Sequence, residues 1–486
     1  MDNLTVIVLA AGGGTRMKSK TMKVLHPIGG RSMIGHVLHA VQAVEPTSVV
    51  AVVGHQREQV GPHITGLLPS AVLAVQETQE GTGHAVRVAM EASGTTTGTV
   101  IVAAGDTPLL EGESLRAFAE EHHAAQRAVS ILSGRLADPF GYGRIVRNHE
   151  GDVEAIVEEK DATPEQREID EISSGILAFD AEFLVSALAR ISNDNAKGEY
   201  YLTDAVGLAR EDGLTVGAHL IDDVAQTAGA NDRAQLADLG RELNRRIVTR
   251  WMKEGVTVMD PATTWIDADV VLEPDATILP GTQLLGATVV HEDAVVGPDT
   301  TLKDCEVGAG ARVVRTHGEL AVVGDQASVG PFAYLRPGTR LGVGGKIGTF
   351  VETKNSTIGD GAKVPHLSYV GDAEIGDGTN IGAGTIFANY DGVAKHRTVI
   401  GRHAKTGSNN TFVAPVEVGD GAGTAGGTVV RRNVPAGALA VSSSPQRNLE
   451  GWTESKRAGT AQAEAARTAR ERAETDTETT GETAEA

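Results

Sequence analysis

Residues 323–348 read VGDQASVGPFAYLRPGTRLGVGGKIG, with an aliphatic side chain at every sixth position: Val323, Val329, Leu335, Leu341 and Ile347. A step of six is neither the 3.6 of a helix nor the two of an exposed strand. It marks a β-solenoid, in which one inward residue per short strand stacks on its equivalent in the next coil, about 4.8 Å away. The same period runs upstream through Leu272, Ile278, Leu284, Val290, Val296 and Leu302. Downstream it returns at Ile358, Val364 and Val370, at Ile375, Ile381 and Phe387, and from Ile400 to Val430. Glycines such as Gly324, Gly342, Gly359 and Gly376 follow the aliphatic residue, where a small side chain eases a tight turn. Two breaks, Arg315–Ala321 and Ala388–Val399, are expected to leave the coil as external loops, where binding residues often sit.

Outward from this ladder, residues 231–254 carry Leu236, Leu239, Leu243, Ile247 and Trp251 at steps of three or four, one amphipathic helix joining two domains. Before it, strand-like segments (Val6–Ala10, Val49–Val53, Val100–Ala104) alternate with helix-like ones (Met33–Val44, Gly83–Ala92, Ser114–Gln126). That rhythm predicts an α/β domain with a mainly parallel sheet. The expected order is a Rossmann-like domain over 1–230, a linker helix over 231–255 and a solenoid over 256–452. The stretch 453–486 is Ala, Thr, Glu and Arg with almost no large apolar residue, and disorder is expected there, with a partial helix as the alternative that its composition leaves open.

The chain has 486 residues, too many for one ordinary core, and a formal charge of −21. That charge argues against nucleic acid and anionic membranes as partners. No apolar run approaches the roughly 20 residues of a membrane span, and Leu4–Ala11 reads as a buried strand rather than a signal peptide. The single cysteine, Cys305, excludes an intrachain disulfide and fits the cytoplasm.

The segment Leu9-Ala10-Ala11-Gly12-Gly13-Gly14-Thr15-Arg16-Met17 follows the first strand and precedes Lys23. A glycine loop there lets backbone N–H groups approach phosphate. It lacks both the G-x-G-x-x-G spacing of a dinucleotide fold and the Gly-Lys-Ser/Thr of a P-loop. Together with Gln76, Gly81-Thr82-Gly83, Gly105-Asp106, Gly141-Tyr142-Gly143-Arg144, Val157-Glu158-Glu159-Lys160 and Gly198–Asp204, it resembles the sugar-1-phosphate nucleotidyltransferases. Within these it is most similar to the N-acetylglucosamine-1-phosphate uridylyltransferase half of a bacterial bifunctional family, a resemblance that spans residues 4–452. It implies a reaction in which a sugar phosphate oxygen attacks the α-phosphorus of UTP. No general base is needed, so catalysis is positioning and charge neutralisation. The resemblance further implies Mg²⁺ on Asp106 and Asn231, hard oxygen donors suited to it. It puts uridine nucleotide at Leu9, Ala10, Ala11, Gly12, Gln76, Gly81, Thr82 and Gly105, and sugar near Gly143, Glu158 and Ser173. Arg16 and Lys23 would steady the phosphates. Four positions depart from the family: Met22 for Pro, which is expected to soften the placement of Lys23; Ser173 for Asn; Asp232 for Asn, adding charge near the ion; and Ala230 for Val. His26 and His84 have no step to perform and read as packing or hydrogen-bonding residues.

In the ladder, Arg336, Lys354, His366, Tyr369 and Asn380 resemble the glucosamine-1-phosphate acetyltransferase half of the same family. A neutral imidazole is a suitable base for an amine attacking a thioester, so His366 is the candidate base. By resemblance Arg336 and Lys354 grip the sugar phosphate, and Tyr369 and Asn380 orient the sugar. Acetyl-CoA lies against Ala383, Ser408 and Gly426, with Asn389 and Tyr390 over the acetyl group and Lys395 and Arg397 near its phosphates. Gly426 replaces a usual Ala, and Ser443 stands where some members have Arg. The resemblance also implies a left-handed parallel β-helix, a homotrimer with acetyl-CoA sites between subunits, and a product, UDP-N-acetylglucosamine, that feeds peptidoglycan. Two other readings stay open: a nucleotidyltransferase whose solenoid is only a scaffold, and a structural protein with no activity. Neither needs the His366, Tyr369 and Asn380 set, and the second does not need Asp106 with Asn231.

Overall fold

The first strand, Leu4–Leu9, is apolar on both sides because both of its faces are covered: Ile7 enters one core, and Leu4, Val6 and Val8 another. The computed structural model describes residues 3–442 and 446–482. In the N-terminal sheet the strands run Val216–Leu220, Val129–Arg135, Glu171–Asp180, Thr99–Ala104, Leu4–Leu9, Ser48–Val53 and Val72–Val75. All neighbours are parallel except Glu171–Asp180, which is antiparallel to both of its own. A hairpin of Gly143–Arg147 and Val153–Val157 hangs from that antiparallel strand. Leu9 pairs with Ala104, so the glycine loop and Gly105-Asp106 leave the carboxyl ends of two adjacent parallel strands side by side. Open α/β sheets bind ligands at such ends.

The linker helix spans Arg233–Lys253, and Asp232 caps it by accepting from the N–H groups of Ala234 and Gln235. Its two sides hold different domains. Arg246 reaches Glu111 at 3.0 Å and Asp223 at 2.8 Å in the N-terminal domain. Asn244, buried, donates to the Thr264 carbonyl at 2.8 Å and accepts from the Ile266 N–H at 3.0 Å in the first coil.

Two-to-four-residue strands then fill three parallel sheets, which as far as Ala373–Ile375 each take every third strand, the topology of a three-faced parallel β-helix; beyond it one face continues through single bridges at Asn380 and Lys405. Ile278 stacks on Val296 and Val296 on Val313, Leu284 on Leu302, and Phe387 on Phe412 with ring centroids 5.2 Å apart. Buried corner threonines satisfy themselves: Thr282, Thr288, Thr339 and Thr385 each donate to the carbonyl three residues back at 2.6–2.8 Å. Glycines after the ladder residue serve close stacking, not turning. A Cβ at Gly342, Gly359, Gly376 or Gly401 would stand 2.6–2.8 Å from backbone nitrogen of the next coil.

Three expectations are corrected. Residues 315–321 do not leave the coil: Thr316–Glu319 is a strand in register with Thr301–Lys303 and Ala333–Leu335. The ladder lapses because the inward position is Gly318, whose missing side chain is replaced by Leu302 and Cys305 packing against it. Five-residue steps from Leu302 to Val307 and from Val313 to Gly318 keep the core continuous, and a strict search for six from Leu302 overlooks both valines. The segment from 453 is not without order: helices span Trp452–Lys456 and Ala461–Glu482. Low apolar content forbids a core but not a helix. Ala, Arg and Glu favour the helical backbone, Arg467 pairs with Glu464 and Glu471, and Arg470 reaches Glu454 on the shorter helix at 2.8 Å. Finally, Met22 does not loosen its turn: its φ of −58° is what proline would impose, and its side chain is buried in the core.

Candidate functional sites

At the carboxyl ends of the central strands, the Gly105 N–H donates to the Leu9 carbonyl at 2.9 Å, which locks Ala10–Gly12 against Asp106. Gly12 and Gly13 have nothing within 4 Å of a Cβ position, so their backbone is open to a ligand. Gly14 is left-handed at φ +56°, and a Cβ there would meet Lys23 Cβ at 2.5 Å. Only glycine lets Lys23 lie across the loop. Its ammonium contacts the Asp106 carboxylate and donates to Asn231 Oδ1 at 3.0 Å, while Arg16 donates to the same oxygen at 2.8 Å. Residues 16, 23, 106 and 231 thus converge although the chain separates them widely. The arrangement tests the fit of a divalent ion: a carboxylate and an amide oxygen face one point, which a cation, the Lys23 ammonium, already satisfies. Mg²⁺ commonly takes one or two such protein oxygens and completes its shell from phosphate and water. Asp232 turns its charge to the helix N-terminus, where the dipole accommodates it.

A cleft of about 570 Å³ opens beside the glycine loop, lined by Gly13, Gln56, Arg57, Gln76 and Gln79; of the residues expected to hold nucleotide, Gln76 alone lines it. Gln76, 5% exposed, donates to the Gly81 carbonyl at 3.2 Å and approaches His84 at 3.4 Å. The Thr82 hydroxyl accepts from the Leu202 N–H at 3.0 Å, which ties the loop to the segment around Tyr200. Gln79, not singled out by motif, donates to the Ala11 carbonyl and closes the glycine loop from the other side. His26 is buried, and burial followed by Arg233 lowers its pKa, so it stays neutral.

Glu158 lines a second cleft, of about 920 Å³, with Arg16, Phe140, Gly141 and Lys197; Gly143 does not line it but lies under Glu158, whose Oε1 would stand 3.7 Å from a Cβ there. Ser173 pairs with Gly143 across the sheet and is buried. Burial raises the Glu158 carboxyl, which also accepts from Thr203 Oγ1 at 3.3 Å. Burial and the neighbouring Glu158 push Asp204 up to about 6.

On the solenoid, Tyr334, Glu352 and Tyr369 stack in register on one face. Arg336 donates to Glu352 at 2.9 Å, and the Lys395 ammonium beside Lys354, followed by Arg336, lowers the Lys354 pKa. Three cations crowd one patch. Asn389, buried, donates to Asp372 and approaches the Tyr369 hydroxyl at 3.4 Å. His366 ends the strand Lys363–His366 on the adjacent face, exposed, one corner before Tyr369. Asn380, also exposed, bridges to Lys363 on that face. Ala383, Ser408 and Gly426 occupy the same corner of successive coils: the Asn409 N–H donates to the Ala383 carbonyl at 2.7 Å and the Gly427 N–H to the Ser408 carbonyl at 2.8 Å. Of the expected loop 388–399, residues 389–397 leave the coil, with Tyr390 60% exposed and His396 at 2.7 Å from Asp391, while Ala388, Thr398 and Val399 stay in its strands. Arg397 is spent on Glu374 at 3.0 Å. Ser443 lies outside the described residues.

Residues 6–167 match the model of the MobA-like NTP transferase domain. The chain is 57% identical over 480 residues to the bifunctional protein GlmU of Kineococcus radiotolerans, covering 99% of this chain and 96% of that one. It is 58% identical over 470 residues to GlmU of Rhodococcus jostii, covering 95% and 94%, and 57% identical over 468 residues to GlmU of Mycolicibacterium vanbaalenii, covering 95% of each. With such identity over nearly the whole of both chains, and with a nucleotidyltransferase sheet and a hexapeptide coil joined by one helix, the chain belongs to the GlmU family of bifunctional enzymes.

Proposed function

We propose that the solenoid acetylates glucosamine 1-phosphate with acetyl-CoA, and that the N-terminal domain transfers UMP from UTP to the resulting N-acetylglucosamine 1-phosphate. The released products are free CoA and pyrophosphate, and UDP-N-acetylglucosamine supplies peptidoglycan synthesis. The observation that carries a working acetyl site, rather than a scaffold, is the crowding of Arg336, Lys354 and Lys395 one corner from His366. Clustered positive charge draws an anionic group to the patch. Arg336 and Lys354 hold the sugar phosphate, and Tyr369 and Asn380 orient the ring. His366 takes a proton from the amine as its nitrogen attacks the thioester carbonyl, and CoA leaves as thiolate. Ala383, Ser408 and Gly426 offer backbone to the cofactor, and Asn389 and Tyr390 cover the acetyl group.

In the N-terminal domain, Leu9–Gly12, Gln76, Gly81, Thr82 and Gly105 hold uridine nucleotide, and Gly143, Glu158 and Ser173 hold the sugar. Arg16 and Lys23 carry phosphate charge. Asp106 and Asn231 would hold Mg²⁺, which supplies neutralisation of the triphosphate when bound. A homotrimer is supported by an uncovered apolar corner beside His366, where Phe332 and Phe350 stack at 5.5 Å and Leu367 is exposed. Cytoplasmic work is supported by the single buried thiol. No helix among the described residues is long and apolar enough to cross a membrane.

The test is two assays on three proteins. His366→Ala abolishes CoA release and spares pyrophosphate release, and Asp106→Ala does the reverse. A folded variant that loses both activities refutes the two-site reading, and an unmutated chain with no CoA release favours the scaffold.

A further inference from the structure

We infer that Arg144 is a positioning residue for the sugar substrate of uridylyl transfer, acting through Glu159. The inference rests on the assignment of the 920 Å³ cleft to the sugar phosphate. Arg144 is the largest fully buried side chain, 2% exposed, and its guanidinium joins two segments of the cleft wall. One amino group donates to the Tyr142 carbonyl, and the other donates to Glu159 Oε2 at 2.8 Å. The same carboxylate oxygen accepts from the Gly141 N–H at 3.2 Å, and Gly141, at φ +88°, carries the turn of Phe140 at the cleft's edge. Glu159 therefore fixes both the 139–142 turn and its own chain neighbour Glu158. On the strand itself, Arg144 follows Gly143 and pairs with Ile172 and Val157.

Burying an ion pair is a poor way to gain stability, because desolvation offsets the attraction. The Arg144 Nε is moreover buried with no hydrogen-bond partner. What the pair provides is geometry: a planar fork that sets two loop segments at a fixed separation, which lysine, with one donor centre, cannot reproduce. Freeing the turn misplaces the Phe140–Gly141 edge of the sugar cleft; Arg16 lines the same cleft, but the bonds of Arg144 and Glu159 go to the 141–142 turn and not to Arg16, Gln76 or the glycine loop. The consequence falls on one substrate only.

The experiment measures uridylyl transfer by the full chain for Arg144→Lys and Glu159→Gln. Acetyl transfer and thermal melting report the fold. Both variants are expected to raise KM for N-acetylglucosamine 1-phosphate about tenfold or more, with KM for UTP within twofold and acetyl transfer unchanged. A folded variant whose sugar-phosphate KM does not move, or moves together with that of UTP, overturns the inference. Should Arg144→Lys unfold, Glu159→Gln, which keeps the size and hydrogen-bonding shape, decides alone. Glu158→Gln separates the two claims: if it leaves the sugar-phosphate KM unchanged, the assignment of the cleft has failed and the inference falls with it; if it raises that KM while Arg144→Lys and Glu159→Gln do not, the assignment stands and only the role of Arg144 is refuted.

Discussion

Replacing Lys23 with methionine should tighten the binding of a free divalent ion yet weaken the binding of UTP. The ammonium sits against Asp106 and Asn231, with the Lys23 and Asp106 side chains only 14% and 24% exposed. Two unit charges 4 Å apart at an effective dielectric of 20 attract by about 4 kcal/mol, before desolvation is subtracted. A charged hydrogen bond of this kind nets about 1.5 to 3 kcal/mol. An ion that binds Asp106 and Asn231 without nucleotide must give back that amount, because Lys23 has to leave. Lys23→Met removes the competitor, so Mn²⁺ affinity without nucleotide should rise about ten- to a hundredfold, at 1.4 kcal/mol per tenfold. With UTP the sign reverses. The triphosphate gives the ammonium a new partner, and the variant loses that contact, so KM for UTP rises and kcat falls. Titration of the full chain with Mn²⁺, followed by electron paramagnetic resonance, reads the first effect directly, and Asp106→Asn should abolish the same signal. Equal or weaker Mn²⁺ binding by Lys23→Met would show that the ammonium does not hold the ion's place.

Asn244→Ala strands the Thr264 carbonyl and the Ile266 N–H in a buried junction. At about 1 to 3 kcal/mol for each of the two orphaned groups, it should lower stability in urea by about 2 to 6 kcal/mol, and a change under 1 kcal/mol would show that water takes over both bonds. Gly426→Ala should raise stability by about 0.4 to 1 kcal/mol by restricting the unfolded chain. Its φ is not in the left-handed range, and the nearest atom to a Cβ is the Ser408 carbonyl oxygen at 3.7 Å, so a lower melting temperature contradicts this packing. Burial and Glu158 raise the Asp204 carboxyl to about 6, from an ordinary value near 4. Between those values the native chain keeps a proton that the unfolded chain has released, so the group's stability is complete below about pH 4 and lost as pH rises through 6. Asp204→Asn is neutral throughout, and its stability relative to the parent should improve from pH 4 to pH 7 in urea titrations. An unchanged difference at the two values would remove Asp204 from the pH profile.

The period of six exposed the coil because each inward residue is fixed by its neighbour one coil away, so the constraint is written at constant spacing. Where the constraint is met differently, the pattern is silent. Gly318 keeps the coil intact because Leu302 and Cys305 occupy the space its side chain lacks, and nothing local to residues 315–321 says so. The helix Ala461–Glu482 was hidden for the opposite reason. Its stability comes from propensity and pairs three and four residues apart, which a search for buried apolar surface does not weigh.

The candidate sites divide along the same line. Residues whose chemistry is intrinsic, such as Asp106, Lys23 and His366, could be picked out from motifs, because a carboxylate, an ammonium or an imidazole declares its reactivity wherever it lies. Residues that act by holding others could not. Gln79 closes the glycine loop through a carbonyl 68 positions away, and Arg144 joins two loops through one carboxylate. Met22 shows the converse: judged by type it should loosen the turn before Lys23, but the fold holds its backbone at the angle proline would supply. Position along the chain therefore nominates the candidate groups, and packing decides where they stand. Lys23 stands on the two oxygens proposed to hold the metal, so a metal bound there would compete with the lysine for one place until a triphosphate gave each its own partner.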